Sequence, residues 1–256
     1  MIHLRNEREI DLIRESCRVV GLAHRALLRH IRPGVTTREL DEAAETVIRE
    51  NGAVPAFKGY HGYPCSTCIS INEQVVHGIP GNRALVDGDL VSIDIGAEKD
   101  GYFGDQAFTY AVGDVDDASR RLMETTRESL QKGIEAAREG GRLGDISGAV
   151  QTCVEAEGFS VVRQFVGHGI GSKLHEDPPV PNYAPVERNP RLRKGITLAV
   201  EPMVNLGKPE VTVADDGWTA STSDGSPSAH FEHVIVISND GADVLTMSEE
   251  EIRNGS

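Results

Sequence analysis

No apolar run in this 256-residue chain approaches the ~20 residues that span a bilayer. Its first residues, Met1-Ile2-His3-Leu4-Arg5-Asn6-Glu7, lack the apolar core of a signal peptide. The expectation is a soluble, cytoplasmic protein without a membrane partner. Basic charge is scarce: 26 Lys and Arg stand against 40 Asp and Glu, a formal charge of -14. Nucleic-acid binders place Lys and Arg against the phosphate backbone, so this balance argues against nucleic-acid specificity. Cysteine is scarce too. Cys17, Cys65, Cys68 and Cys153 make no disulfide framework in a chain this long, which fits a reducing compartment. Cys65-x-x-Cys68 lacks the second close pair that a structural zinc normally needs, so both thiols read as packing or pocket wall. Also missing are a Gly-x-Ser-x-Gly elbow, a Walker loop, an HExxH helix and a glycine fingerprint between strand and helix. The commonest serine-hydrolase, nucleotide-binding, zincin and dinucleotide-binding signatures are therefore excluded.

What is present is a chain long enough for one large domain with a sizeable core. Ile10, Ile13, Cys17, Val20, His24, Leu27 and Ile31 recur at helical spacing and predict an amphipathic helix over about 5–31, stopped by Arg32-Pro33-Gly34. A second helix starts on the capping-box signature Thr36-x-x-Glu39, with Leu40, Ala43, Val47 and Ile48 as its apolar stripe and Gly52 as its stop. Segments 53–57, 68–71, 89–96 and 103–112 are short, rich in Val, Ile, Phe and Tyr, and read as strands. A third helix over 117–138 places Leu122, Thr126, Leu130, Ile134 and Ala137 on one face.

The pattern then repeats. An offset of 107 pairs Gly34 with Gly141, His61-Gly62 with His168-Gly169, Gly88 with Gly195 and Asp94 with Glu201. Two half-repeats, about 30–112 and 137–240, would each carry helices on antiparallel strands within a single catalytic domain spanning 1–256. If they face each other, their acidic residues meet at a central seam.

Asp94 sits between Ile93 and Ile95, in a strand that otherwise looks buried, where an aspartate is disfavoured. Asp100-Gly101 predicts a tight hairpin, across which the odd spacing of Asp94 and Asp105 puts both on one face. Two carboxylates held that close need a shared proton or a cation. The second half adds His168 among glycines, His175, Glu201 after an apolar strand and Glu232 at a strand mouth. Four carboxylates and one or two imidazoles, with few Lys or Arg nearby, suit paired divalent ions and hydrolysis better than a structural zinc.

These motifs carry a resemblance. Gly59-Tyr-His-Gly-Tyr-Pro64, Ser70-Ile-Asn-Glu-Gln-Val-Val-His77-Gly-Ile-Pro80, Ser92-Ile-Asp94-Ile-Gly96, Gly104-Asp105, Gly167-His168-Gly-Ile-Gly171 with His175-Glu-Asp-Pro178, Glu201-Pro-Met203, Asp216-Gly-Trp218 and Glu232-His233 closely resemble the type I methionine aminopeptidases. Those belong to the pita-bread metallopeptidases, and the likeness runs from about residue 3 to 248. The resemblance implies an α+β pita-bread fold of two pseudo-twofold-related halves and removal of the initiator methionine before a small second residue. It implies two divalent ions (Co, Mn, Fe, Zn or Ni): Asp94 on one, His168 and Glu201 on the other, Asp105 and Glu232 bridging. It places His77 near the scissile amide nitrogen, His175 near the carbonyl oxygen and Glu201 as proton shuttle. Tyr60, Tyr63, Cys68, His77 and Trp218 would wall the methionine pocket. Implied partners are nascent polypeptide N-termini, met in transient association with the ribosome by a monomer.

Leu174, where some members carry an aromatic, Gly96, where others have a threonine, and Cys65 depart from the family pattern. The chain shows neither an N-terminal Cys/His-rich extension nor a long helical insertion in its second half, which points away from the extended eukaryotic form and from type II. The rival readings are a proline-directed peptidase of the same fold, which usually carries an extra N-terminal domain, and a metal-free pita-bread binding protein.

Overall fold

The computed structural model describes residues 1–254. Helices α1 (Glu7–Leu28) and α2 (Thr37–Glu50) both start on capping boxes. Asn6 accepts from the Glu9 amide while Glu9 accepts from the Asn6 amide, and Thr36 and Glu39 do the same. Helix α1 buries Ile13, Cys17, Val20, His24 and Leu27 and ends before residue 31, in a turn where the His30 and Ile31 amides donate to Leu27.

Strands Leu90–Lys99 and Tyr102–Ala111 form the hairpin on which α1 lies. Its turn residues Asp100 and Gly101 both have positive φ, 53° and 81°, as a twist-matched two-residue turn requires. The register sets Gly96 opposite Asp105 and Asp94 opposite Ala107, so the two aspartates are diagonal neighbours on one face. On its other edge Leu90–Lys99 pairs with Thr67–Ile71 and Val54–Pro55.

In the second half α3 (Asp117–Ala136) packs on α4 (Leu143–Ala156), much as α1 packs on α2. Strands Glu176–Val180, Gly167–Gly169, Thr197–Val200, His233–Ser238 and Gly241–Val244 follow one another across a five-stranded antiparallel sheet. The molecule is α+β with the pita-bread fold: the four-stranded sheet of the first half and the five-stranded sheet of the second are its largest, joined by two three-stranded antiparallel sheets. Short backbone links close the seam. The Glu232 amide donates to the Ala107 carbonyl at 2.9 Å, and Thr109 Oγ1 accepts from the His230 amide at 2.8 Å. One apolar core runs through both halves, including Ile93, Phe108, Leu122, Leu198 and Phe231. Among the described residues no helix is long and apolar enough to cross a membrane.

Candidate metal centre

The seam gathers the expected residues around one cavity of about 200 Å³. Asp94, Asp105, His168, Glu201 and Glu232 line its polar side; Tyr60, Tyr63, Cys68, His77, His175 and Trp218 line the rest, joined by Phe57 and Leu174. Asp94 and Asp105 come from the first-half hairpin. Glu201 leaves the end of strand Thr197–Val200, and Glu232 immediately precedes His233–Ser238, the strand beside it. His168 is held between two strands. A Cβ at Gly167 would overlap the Ala199 carbonyl and one at Gly169 the Asp177 carbonyl, which is why glycine stands on both sides.

Asp105, His168 and Glu232 each present a ligand atom within 4.8 Å of the others. Glu201 lies between two imidazoles, Oε1 at 3.5 Å from His168 Nε2 and Oε2 at 3.6 Å from His230 Nε2. Both spacings are long for a direct hydrogen bond, and between His168 and Glu201 an ion could be held by both. His168 Nδ1 faces the Gly169 carbonyl at 3.0 Å. A carbonyl only accepts, so Nδ1 carries the proton and Nε2 turns its lone pair into the site. Burial, then neighbouring His175, pulls the His168 pKa down to about 3, so the ring is neutral.

The carboxylates shift the other way. Burial raises Asp94 to about 7 and Glu201 to about 8. Burial first, then the surrounding carboxylates, holds Asp105 and Glu232 well above the usual range. Among the described residues no Lys or Arg pairs with any of the four. Asp94 Oδ1, Asp105 Oδ1 and Glu232 Oε1 are buried without a hydrogen-bond partner. Orphaned oxygens beside an unprotonated imidazole nitrogen are a donor set fitted to divalent cations.

The apolar wall is held from outside the cavity. Asp216 accepts from the Trp218 and Thr219 amides and the Thr219 hydroxyl, fixing the turn that presents Trp218. Trp218 meets Tyr63 edge to face at 5.1 Å, and the Tyr63 hydroxyl reaches the Thr67 and Gly78 carbonyls. Gly96, the position without a threonine hydroxyl, makes room for Phe57: a Cβ there would stand 2.6 Å from the Phe57 ring. Leu174 packs with Phe57, Tyr63 and Cys68. Cys65 is half-buried near the Pro80 carbonyl, and burial raises the thiols of both Cys65 and Cys68.

Sequence reading missed His230. Its ring is buried and its Nε2 unpartnered, facing Glu201. The available signal is its place at the end of strand Ser228–His230, two residues before Glu232. Phe57 was missed because its place in the wall depends on Gly96, far along the chain.

Comparison with known proteins agrees with this geometry. Residues 11–239 match metallopeptidase family M24. The chain is 53% identical to methionine aminopeptidase 1 of Bacillus subtilis, over 96% of this chain and 99% of that protein. It is 42% identical to the methionine aminopeptidase of Escherichia coli, over 98% and 96% respectively. Among solved structures, the methionine aminopeptidase of Thermotoga maritima superposes with a TM-score of 0.95 at 45% identity, covering 97% of this chain and all of that one. The prolidase of Pyrococcus furiosus has a TM-score of 0.79 at 25% identity, and the match takes in 96% of this chain but 66% of that one.

Proposed function

The chain belongs to metallopeptidase family M24, and from that membership we propose that it is a methionyl aminopeptidase which removes the initiator methionine from polypeptides with a small second residue. The observation that carries this reading is a buried carboxylate cluster, paired with no Lys or Arg among the described residues, in the same cavity as an apolar wall with room for one side chain. Asp94, Asp105, His168, Glu201 and Glu232 would hold two divalent ions. Bound there, the ions supply Lewis acidity to the scissile carbonyl and to the attacking water.

The chain's own groups do the rest. Tyr63, Cys68, Trp218 and Phe57 hold a flexible thioether side chain against aromatic and sulfur surfaces. Glu201 takes a proton from the attacking water and returns it to the leaving amine. His175 donates to the oxygen on which negative charge develops, and His77 stands at the scissile nitrogen. A bulky second residue would crowd the place where the scissile amide must sit. A β-branched one is worst, being stiff at χ1. One chain supplies every site residue, so a monomer suffices. New chains leaving the ribosome in the cytoplasm are the proposed substrates.

Purified protein loaded with manganese or cobalt should release methionine from Met-Ala-Ser, cleave Met-Ile-Ser poorly and leave Ala-Pro intact. Asp105→Ala should lose the activity while keeping the wild-type circular dichroism spectrum, since it removes a metal ligand and no core packing. Hydrolysis of Ala-Pro in preference to Met-Ala-Ser would overturn the assignment in favour of a proline-directed peptidase.

A further inference from the structure

His168 and His175, two of the three imidazoles that line the cavity, differ in what fixes their protons. For His168 a carbonyl settles the matter; for His175 the partner of Nδ1 is the Tyr60 hydroxyl, 2.8 Å away, which can either give or accept. We propose that Tyr60 is a positioning residue whose hydroxyl donates to His175 Nδ1, locking His175 in the tautomer with the proton on Nε2. This rests on the aminopeptidase reading above and deepens it: only that tautomer lets His175 donate to the substrate's carbonyl oxygen.

Three observations carry the assignment. The Tyr60 hydroxyl lies 2.8 Å from His175 Nδ1 and has no other protein partner among the described residues, so Nδ1 is the one protein acceptor within its reach. The backbone of Tyr60 is tied at both ends and its ring rests on a neighbour. Its amide donates to the Phe57 carbonyl at 2.9 Å, its carbonyl accepts from the Tyr63 amide at 2.9 Å, and the His61 ring packs edge-on against it at 4.4 Å. Burial raises the Tyr60 pKa above its ordinary value, so the group is a phenol and a donor throughout the neutral range.

The molecule contains an internal precedent. Buried His24 faces the Gln106 carbonyl through Nε2 at 3.0 Å, which puts the proton on Nε2, and the Tyr110 hydroxyl lies 3.1 Å from its Nδ1. There the phenol must be the donor. The same tyrosine-to-Nδ1 pairing at His175 leaves Nε2–H as the donor available to the cavity. The opposite tautomer would offer a lone pair there, next to the neutral His168 ring at 4.2 Å and the carboxylates beyond, and would give nothing to an oxyanion.

The test uses full-length protein labelled with 15N-histidine and loaded with diamagnetic zinc. Long-range 1H–15N correlation reports the tautomer of each ring, and the His175 signals are identified by their loss in His175→Ala. Wild-type protein should show His175 protonated at Nε2, and Tyr60→Phe should shift it toward a mixture of tautomers. A wild-type His175 protonated at Nδ1 overturns the proposal. Kinetics on Met-Ala-Ser supply a second readout: Tyr60→Phe should lower kcat by about tenfold with KM little changed. In a His175→Ala background the same substitution should cost almost nothing. A raised KM with kcat intact, or full additivity with His175→Ala, would make Tyr60 a pocket wall alone and sink the idea. The tautomer measurement needs no turnover, so an enzyme that fails to release methionine would disprove the aminopeptidase reading without touching the Tyr60–His175 assignment.

Discussion

Asp41 shows how a single buried polar group supports the pocket from outside it. On helix α2 the residue turns inward, and its Oδ1 accepts from the Ser66 amide at 3.0 Å, the Thr67 amide at 2.8 Å and the Thr67 hydroxyl at 2.8 Å. Those bonds anchor the start of the strand that carries Cys68 into the cavity wall. Asp41→Ala would leave two buried amides unpaired, at a cost of about 2–4 kcal/mol, and loosen that strand. Urea denaturation should show the loss as a lower midpoint with an unchanged slope, and KM for Met-Ala-Ser should rise. Nothing local in the sequence foretells this role. The apolar stripe of α2 was read as Leu40, Ala43, Val47 and Ile48, whereas the buried face is Thr37, Leu40, Asp41, Ala44 and Ile48. An acid inside an amphipathic helix looks solvent-facing until its partners, some twenty-five positions away, are known. His230 is the converse case, a residue whose place at a strand end is set locally but whose partner Glu201 follows another strand.

Elements whose causes are local were legible. The Thr36-x-x-Glu39 box, the Asp100-Gly101 turn and the helical period of Leu122, Thr126, Leu130 and Ile134 depend on residues within a few positions, and each forms as that logic requires. The hairpin register also followed, since a two-residue turn leaves no freedom in which residues face each other. What was not legible is how closely elements approach. At Gly104 the backbone of α1 comes so near the hairpin that a Cβ would overlap the Cys17 amide nitrogen and stand 2.6 Å from the Ser16 carbonyl carbon. Backbone on both sides cannot give way as a flexible side chain would. Gly104→Ala should therefore lift α1 from the sheet and cost about 1–3 kcal/mol or more. The shift would reach the neighbouring Asp105, so a calorimetric metal titration should show weaker binding together with the lower Tm. An unchanged Tm would mean that α1 can slide on the hairpin, and that the close packing is not what sets the helix in place.

At the scale of the whole molecule the carboxylate cluster works against the fold that creates it, and pH separates its effect from that of the buried histidines. Unfolded Asp and Glu titrate near ~4 and unfolded His near ~6.5. In the folded chain burial raises Asp94 to about 7 and Glu201 to about 8, with Asp105 and Glu232 higher than usual for the same reason. Metal-stripped protein therefore retains protons that the unfolded chain has lost, and its stability falls as pH rises through that interval. Burial lowers His24, His77 and His233 to about 4 and His168 to about 3, which has the opposite sign: stability is lost as pH falls below ~6.5. The two groups oppose each other from ~4 to about half a unit above ~6.5, while unfolded histidines still lose protons; toward pH 8 the histidines become neutral in both states and the carboxylates are left to titrate differently. Cys17 and Cys68, raised by burial, enter only at more alkaline pH. The Tm of chelator-treated protein should accordingly decline between about pH 7 and 8, where the carboxylates outweigh the histidines. Divalent ions bind the ionised cluster of the folded state and displace its protons, so saturating manganese should raise Tm more at pH 8 than at pH 6.5 and abolish the decline. Asp94→Asn removes one titrating member and should flatten the metal-free profile. Scanning calorimetry across that interval, with and without metal, checks all three outcomes, and a metal-free Tm that holds level or climbs toward pH 8 would show that these carboxylates do not keep their protons in the fold.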